Sequence, residues 1–388
     1  MEHQAANNQL MQKMNRLKVL SYVRRNPECS RPMIARDTGL SLSSITNITT
    51  YLIDIGILYE CGMEQVGRVG RKSALLRLRE TRNDLICAFV SGSQINLYIT
   101  DLLGRAKEKY TVSTDGCTGE EAMQRMISEL NRILALRGSE RFLAIGVAVS
   151  GLILGDSRFV MSSELKWRSL DLKHTLEQET GLPVFVDNNS QLRAVWYYRT
   201  GGFLQENMVY VDLEGGIGAV QLSDGNICRS TLGEIGHTTV KKDGEPCFCG
   251  NRGCLEAMCS VKRLFSLYES AQGSRPASLT ELQRLYEAGE SAAVFAVENC
   301  GTYLGIGLAN LVNLLNPRVL AIHTGSFTHC PSVLMVAEKE LRNRSFPALT
   351  ENLLVHHTTQ TEDTMLSGMA QILCDRVFDI SFPNNIVE

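Results

Sequence analysis

The chain has 388 residues, which is too long for one ordinary hydrophobic core and predicts two or three domains. Hydrophobic residues make up 44% and charged residues 21%, as in soluble globular proteins, and no apolar run approaches the roughly 20 residues of a membrane-spanning helix. The N-terminus lacks the apolar stretch of a secretory signal, so we expect the twelve cysteines to be reduced thiols in the cytoplasm.

Charge is distributed unevenly along the chain. Residues 1–80 carry twelve Lys and Arg against seven Asp and Glu, a net charge of +5, although the whole chain has a net charge of −3. The rest of the chain therefore carries −8. A basic N-terminal region on an acidic body indicates that the N-terminal region binds a polyanion and that the body does not.

The N-terminal region has the pattern of a small helical DNA-binding domain. An apolar stripe predicts a first helix that ends near Pro27. Ser30 is placed to cap a second helix, and Ser41 a third, with an extended segment from Gly56. This order is typical of a winged helix-turn-helix, in which the third helix enters the major groove of DNA.

The outward face of the third helix carries short hydrogen-bonding side chains, which suit base edges and phosphates. A Gly-Arg segment at 66–72 could lie in the minor groove and neutralise phosphates. The predicted DNA contacts are Arg31, Ser41, Ser43, Ser44, Thr46, Asn47, Thr50, Arg68, Arg71 and Lys72. In an alternative interpretation this is an ordinary exposed helix face, and the three-helix module binds a protein.

Strand-like and helical segments are interspersed in the body of the chain. An apolar run at 85–90 is followed by a glycine turn and an alternating segment, and a second such opening begins at Met208. Helical periodicity follows, for example at 120–136 and 304–315. The pattern predicts an α/β architecture with helices packed over the sheets.

Four potential metal ligands lie close together in the sequence: His237, Cys247, Cys249 and Cys254. One imidazole and three thiolates form a common closed ligand set for structural zinc, so we expect one Zn²⁺ per chain with no position left for water. Glycines beside the cysteines allow the sharp turns that this requires. The alternative is a group of free cysteines in a glycine-rich loop.

The spacing G-E-x-G-H, nine residues, C-x-C-G-x-x-G-C-L-E resembles the signature of the ROK family, which contains bacterial repressors and sugar kinases. The resemblance extends over nearly the whole chain, and the winged helix-turn-helix at 1–80 matches the repressor branch. It implies an actin-like, ribonuclease-H-like ROK sugar-kinase fold at 81–388. The two lobes would span about 84–195 and 196–388, with the zinc loop at 233–256.

The resemblance also implies a sugar cleft between the lobes. The matching positions are Ser150, Gly151, Asn188, Asn189, Glu234, His237 and Glu256. If one ring nitrogen of His237 binds zinc, only the other can contact a ligand. The zinc site would then fix this ring and Glu256 in place. For the two asparagines the alternative is ordinary turn chemistry after a strand.

Two positions differ from the sugar kinases of the family. Asn189 stands where the kinases have the aspartate that accepts the proton of the sugar hydroxyl, and an amide cannot accept it. Phe89 stands at the first position of the kinases' Asp-x-Gly-Gly-Thr motif, where it cannot coordinate Mg²⁺. Asp187, two residues before Asn189, is an alternative proton acceptor if strand alternation places both on one side. The resemblance therefore implies a protein that is not an enzyme.

These features together predict a cytoplasmic, zinc-containing repressor that responds to a sugar or sugar phosphate. A homodimer or homotetramer would bind an inverted repeat in double-stranded DNA, and the sugar would change the spacing of its DNA-binding domains. We expect no membrane association. Two alternatives remain: an ATP-dependent hexose kinase with an added DNA-binding domain, and a regulator that senses a protein partner instead of a sugar.

Overall fold

The computed structural model of the chain describes residues 15–377 with several gaps. The gaps are residues 17, 21, 24, 64–72, 80–83, 155–157, 163–164, 166, 202, 204–205, 224–225 and 229–233. Three predicted DNA contacts, Arg68, Arg71 and Lys72, lie outside the described residues, as do the linker predicted near 80–83 and Gly233 of the zinc loop.

Helices and strands are interspersed along the chain, as predicted. Helical residues 15, 16, 18–20, 22, 23 and 25 belong to α1. The helices that follow are α2 (Arg31–Thr38), α3 (Leu42–Asp54), α4 (Gly119–Arg137), α5 (Leu172–Thr180), α6 (Asn189–Thr200), α7 (Leu255–Cys259), α8 (Val261–Gln272), α9 (Leu279–Glu287), α10 (Ser291–Leu315), α11 (Pro331–Arg344), α12 (Pro347–Thr350) and α13 (Glu362–Val377). The strands are β1 (Cys29–Ser30), β2 (Leu58–Met63), β3 (Ala74–Leu78), β4 (Asp84–Val90), β5 (Gln94–Thr100), β6 (Ala106–Ser113), β7 (Phe142–Val149), β8 (Leu152–Leu154), β9 (Arg158–Ser162), β10 (Trp167–Arg168), β11 (Val184–Asn188), β12 (Met208–Asp212), β13 (Gly218–Ser223), β14 (Asn226–Ile227), β15 (Val319–His323) and β16 (Leu354–Thr358).

The N-terminal region has the predicted order of three helices and an extended segment. Gly39, with φ +70°, forms the turn before α3, and the Ser41 hydroxyl caps α3 by accepting a hydrogen bond from Ser44 N–H. A sheet of order β1-β3-β2 packs against the helices. Ser30 is the N-cap residue of α2, as predicted, but its hydroxyl is buried and accepts no bond from the helix. Ser30 instead pairs with Leu75 in the sheet, which holds it in the core.

Two five-stranded sheets with the same topology form the body of the protein. Their strand orders are β11-β7-β4-β5-β6 and β14-β13-β12-β15-β16. In each sheet the first three strands in sequence pair antiparallel, and two later strands add in parallel on the other side of the first. The repeated arrangement confirms the predicted two-lobed α/β fold of the actin-like, ribonuclease-H-like kind.

Helix α13 returns to the first sheet although it follows the second in sequence. It packs against β4, β7 and α6. A Cβ on Gly368 of α13 would lie 2.3 Å from the Leu192 carbonyl oxygen in α6, so only glycine permits this approach. The expected lobe boundary at 195/196 falls inside α6. The first lobe is therefore built from two separate parts of the chain.

Helix α10 forms the core of the second lobe. Among the described residues, this is the one helix long and apolar enough to cross a membrane. The most apolar 18-residue stretch of this helix has a mean hydropathy of 1.3, yet 61% of that stretch is buried. It packs against α7, α8, α9 and α11. A Cβ on Gly301 would lie 2.5 Å from the Val336 side chain of α11, so glycine allows the two helices to approach closely. The helix predicted at 304–315 is thus a core helix that begins earlier, at Ser291.

The apolar core of the N-terminal region continues into the first lobe. Buried side chains such as Leu52 in α3 and Leu78 in β3 belong to the same cluster as Leu373 and Val377 in α13. The N-terminal region and the last turns of α13 are therefore parts of one packed core.

Candidate functional site

One histidine and three cysteines form a compact cluster in the loop between β14 and α7. The ligand atoms of His237, Cys247, Cys249 and Cys254 all lie within 4.8 Å of one another. His237 ends a single 3-10 turn, and Cys254 is the N-cap residue of α7. The structure therefore brings together all four residues that the sequence predicts as metal ligands.

The distances in this cluster fit a four-coordinate zinc ion. With Zn–S bonds of about 2.3 Å and a Zn–N bond of about 2.0–2.1 Å, a tetrahedron places two sulfurs about 3.8 Å apart and nitrogen about 3.6 Å from sulfur. The Cys249 and Cys254 sulfurs are 3.7 Å apart, and His237 Nδ1 lies 3.5 Å from Cys247 Sγ. The donor set therefore fits a metal ion of this type.

The thiols of the cluster have different electrostatic surroundings. A backbone hydrogen bond from Asn251 lowers the pKa of Cys249, whereas burial raises the pKa of Cys254 to about 12. Burial also raises the pKa of Cys247. Neighbouring thiolates repel one another, and a bound cation favours the thiolate form of all three.

Backbone turns that require glycine shape the loop. Cys247 N–H donates to the Asn251 carbonyl at 2.8 Å, which closes the turn that contains Cys249. Gly250 and Gly253 have φ values of +94° and +68°. A Cβ on Gly253 would lie 1.6 Å from the Lys241 carbonyl oxygen, so no side chain fits at this position.

Glu256 connects the start of α7 to the loop between β12 and β13. One carboxylate oxygen accepts a hydrogen bond from Ile217 N–H at 3.0 Å, in the loop between β12 and β13. A Cβ on Gly216 would lie 2.8 Å from this oxygen, and a Cβ on Gly236 would lie 3.3 Å from it. The two glycines therefore make room for the carboxylate, only two residues after the last metal-cluster cysteine.

A small pocket of about 60 Å³ lies beside Glu234. Its lining residues are Gly151, Leu152, Ile153, Asn188, Ser190, Gln191, Gly218, Ala219, Val220 and Glu234. Three predicted sugar-binding residues thus meet here, Gly151, Asn188 and Glu234, whereas Ser150, Asn189, His237 and Glu256 are not part of the lining. The volume corresponds to about two water molecules, so a sugar requires a wider opening.

Polar side chains beside this pocket are bonded to the protein. Asn188 Nδ2 donates to the Gly151 carbonyl at 2.7 Å, and Asn188 Oδ1 accepts from Ser190 N–H at 2.8 Å, which caps α6. Ser150 Oγ lies 3.2 Å from Ser162 Oγ. The alternative interpretation of Asn188 as a turn residue therefore describes its present bonds, and its contact with a sugar stays a prediction.

A larger cavity of about 500 Å³ adjoins the first turns of α6. Asn189 and Arg193, one helical turn apart, line it together with Phe89 from β4 and Gly325 after β15. Asn188 and Asn189 thus face different cavities although they are neighbours in the sequence. The cause is the change from strand to helix between them.

Asp187 does not share the position of Asn189. Because β11 ends at Asn188, the strand alternation that would place both residues on one side does not reach Asn189. Asp187 is only 2% exposed, and its carboxylate pairs with Arg376 of α13 at 2.8 Å. Its carboxylate is therefore held on the side of α13.

The charges around the larger cavity are mostly negative or neutralised. Glu214 and Glu362 are among its lining residues. The Arg193 guanidinium pairs with the buried Asp212 at 2.8 Å. Burial lowers the pKa of His323, which favours the neutral imidazole. These groups offer hydrogen bonds but little positive charge for a phosphate chain.

The Arg193–Asp212 pair and His323 are site residues that the sequence reasoning missed. Asp212 and His323 each end an apolar strand of the second sheet, and the two strands are neighbours with these residues in register. A polar residue at the end of a buried strand is a signal visible in the sequence. No local sequence pattern identifies Arg193 of α6 as the partner of Asp212.

The described residues of the predicted DNA surface lie mainly on α3. Ser43, Thr46, Asn47 and Thr50 are exposed, and Ser41 and Ser44 lie at the start of the helix. Arg31 differs from them, because its guanidinium donates to Thr49 Oγ1 and to Glu60 Oε1, each at 2.8 Å. Its contact with DNA stays a prediction, as do the others.

Comparisons with known proteins cover almost the whole chain. The ROK family model matches residues 86–376. A xylose repressor from Bacillus subtilis is 25% identical over 381 residues, which cover 97% of this chain and 98% of the repressor. A glucokinase from Halalkalibacterium halodurans is 29% identical over 301 residues, which cover 72% of this chain and 91% of the glucokinase.

A solved structure has the same fold from end to end. The crystal structure of a ROK family transcriptional regulator, described as a homologue of the Escherichia coli Mlc protein, matches with a TM-score of 0.80 and 22% identity. The match covers 95% of this chain and 97% of that one. It therefore includes the N-terminal helices as well as both lobes.

Proposed function

Because the chain belongs to the ROK family, we propose that it is a sugar-responsive, DNA-binding transcriptional repressor of the cytoplasm. The match with the xylose repressor carries this proposal, since it covers 97% of the chain and so includes the helix-turn-helix region. In this proposal residues 1–80 bind DNA and residues 81–388 bind the sugar. The glucokinase match covers only 72% of the chain and is compatible with the body alone.

The cleft in this proposal binds its sugar without phosphorylating it. Asn189 supplies an amide where a kinase needs a carboxylate to accept the proton. Phe89 and Glu214 line the cavity where a nucleotide and its Mg²⁺ would have to bind, and neither can hold a phosphate. These residues favour a binding function over phosphoryl transfer.

The cluster of His237 and three cysteines holds one structural zinc ion per chain in this proposal. Zinc would use Nδ1 of His237, which leaves Nε2 for a ligand. It would also anchor the start of α7 and so the position of Glu256. The metal would then orient sugar-binding groups and take no part in a reaction.

A chain of contacts connects the cleft with the DNA-binding region. Asp187, next to Asn188 at the end of β11, is paired with Arg376 in the last turn of α13. The adjoining residues Leu373 and Val377 share one apolar core with the N-terminal helices. A sugar that moves the two lobes apart would displace α13 and with it the DNA-binding region, provided that it binds one arrangement more tightly than the other.

The DNA target in this proposal is an inverted repeat, and the protein is a homodimer or homotetramer. One helix-turn-helix reads only one half-site, and two related by a two-fold axis read a palindrome. Oligomeric state can be measured by sedimentation equilibrium, where a monomer at micromolar concentration would contradict this part of the proposal.

Selection of DNA fragments from the source genome tests the proposal. Purified protein should enrich fragments that contain an inverted repeat, and one sugar from a panel of pentoses, hexoses, their phosphates and amino sugars should weaken the complex at least tenfold. The same protein with ATP, Mg²⁺ and each sugar should release no ADP above background. Steady turnover would instead support the kinase alternative.

A matched variant separates sugar sensing from DNA binding. Glu256→Gln keeps the size of the side chain but removes its charge, so it should retain DNA binding and lose much of the response to sugar. Glu245→Gln, in the same loop but paired with Arg263, should keep both properties. Binding by both variants to a partner from cell extract, with no response to any sugar, would favour a protein effector.

A further inference from the structure

The exposed face of helix α3 carries no cation. Its exposed residues before the last turn are Leu42, Ser43, Thr46, Asn47 and Thr50. The single charged residue of the helix, Asp54, is its last residue. In most helix-turn-helix proteins the first turns of this helix contact the base edges, so base reading here depends on uncharged side chains.

Most hydroxyl groups at the start of α3 are bonded within the helix. Ser41 Oγ accepts from Ser44 N–H at 3.1 Å and lies 3.0 Å from Ser43 Oγ. The Thr46 hydroxyl donates to the Leu42 carbonyl at 2.8 Å. The Asn47 amide, by contrast, has no hydrogen-bond partner in the part of the chain that the structure describes. It is the group on this face that carries a donor nitrogen and an acceptor oxygen as separate atoms in one plane.

Two described arginines that contact α3 or its neighbours, Arg31 and Arg16, are engaged elsewhere. Arg31, at the start of α2, donates a hydrogen bond from Nε to Thr49, and one terminal nitrogen pairs with Glu60. The Glu60 carboxylate also neutralises the charge of Arg31. The guanidinium of Arg16 stacks 4.0 Å from the ring of Tyr51, in the later half of α3. A bidentate contact with guanine O6 and N7 needs two free guanidinium N–H groups. Neither arginine presents such a pair beside the first turns of α3.

We propose that Asn47 reads one adenine in the major groove of each half-site and that α3 makes no bidentate contact with guanine. The asparagine amide matches the N6 donor and N7 acceptor of adenine, and it is the side chain on this face able to make such a paired contact. The inference rests on the proposed DNA-binding function and adds the base that α3 selects.

Selection from random duplex DNA tests this with three forms of the full-length protein. The wild type should enrich an inverted repeat with an adenine at one fixed position of each half-site. Replacing that adenine should weaken wild-type binding about 5- to 160-fold, the equivalent of a good bidentate contact. Asn47→Ala should bind all four bases at this position within about twofold and keep the other preferences. Asn26→Ala, in the same domain but before α2, should keep the adenine preference.

A modified base distinguishes direct contact from an effect on folding. Replacing the adenine by 7-deazaadenine removes the N7 acceptor and should weaken the wild type severalfold while leaving Asn47→Ala unchanged. An unchanged adenine preference in Asn47→Ala, or a guanine that is lost with Asn47, would overturn the inference. Failure of the wild type to select any sequence would instead overturn the proposed DNA-binding function itself.

Discussion

The two cavities beside the first turn of α6 differ in how their walls are held. Around the small pocket, hydrogen bonds hold the walls: Asn188 joins the start of α6 to the Gly151 carbonyl, and Glu256 accepts a bond from Ile217 N–H, next to the lining residue Gly218. Phe89 and Asn189 line the large cavity, and in the proposed function they stand where a kinase would need carboxylates. In the proposed function, this comparison teaches that one half of a two-lobed cleft can keep its architecture while the other lacks the groups needed for phosphoryl transfer.

The largest expected effect comes from removing the metal cluster. Cys254→Ser replaces a fully buried ligand and should release about one zinc per chain and lower the free energy of unfolding by about 4 kcal/mol. Metal analysis and thermal melting measure both. Cys117→Ser, outside the cluster, should keep the metal. A fully loaded Cys254→Ser variant would show that Cys254 is not a zinc ligand.

A somewhat smaller effect is expected from breaking the ion pair behind the cleft. Arg376→Ala leaves the carboxylate of the buried Asp187 without this partner and should cost about 3 kcal/mol of unfolding free energy. Adding Asp187→Asn removes the charge and should restore about half of that loss. Chemical denaturation of the single and double variants measures the change in unfolding free energy. Equal losses of unfolding free energy in both variants would mean that packing rather than charge stabilises this contact.

The wall of the small pocket can be tested at Asn188. Asn188→Ala removes the cap of α6 and the bond to the Gly151 carbonyl and should cost about 2 kcal/mol. Asn188→Asp keeps an oxygen for the cap and loses only the donor, so it should cost about half as much. If neither variant changes the denaturation midpoint, the bonds of Asn188 do not hold this wall.

The smallest effect is expected on the side of the large cavity. Asn189→Asp alone should yield no ADP from ATP and a sugar, because Phe89 still occupies the region where metal and phosphate would bind. The double variant with Phe89→Asp is the more demanding test of the same idea. Turnover by Asn189→Asp alone, in a coupled ADP assay, would show that this cavity kept more of its kinase chemistry than we infer.

Features built from neighbouring residues could be predicted from the sequence. The metal cluster needs only residues within one loop, and its four donors meet as expected. The three N-terminal helices follow from local capping and periodicity in the same way. Both are short-range properties, in which the residue types and the spacing already contain most of the geometry.

Features that depend on the path of the chain could not be predicted from the sequence. Nothing near Asp187 indicates that Arg376 will pair with it, since α13 must first cross back to the first sheet. The separation of Asn188 and Asn189 into different cavities depends on a strand-to-helix change at one residue, where sequence patterns are least reliable. Ser30 lies at the predicted N-cap position of α2 but makes no side-chain cap bond, and nothing near it in the sequence indicates its pairing with Leu75 in the sheet.

The return of α13 to the first sheet has a consequence for synthesis on the ribosome. Domains tend to fold in order as they emerge, yet the first lobe cannot cover β4 and β7 until the segment Glu362–Val377 has been translated. The second lobe can close first, although it is made later. Nascent chains should therefore carry one uncovered apolar face of this sheet until α13 is made, and chaperones would have their longest opportunity to bind there.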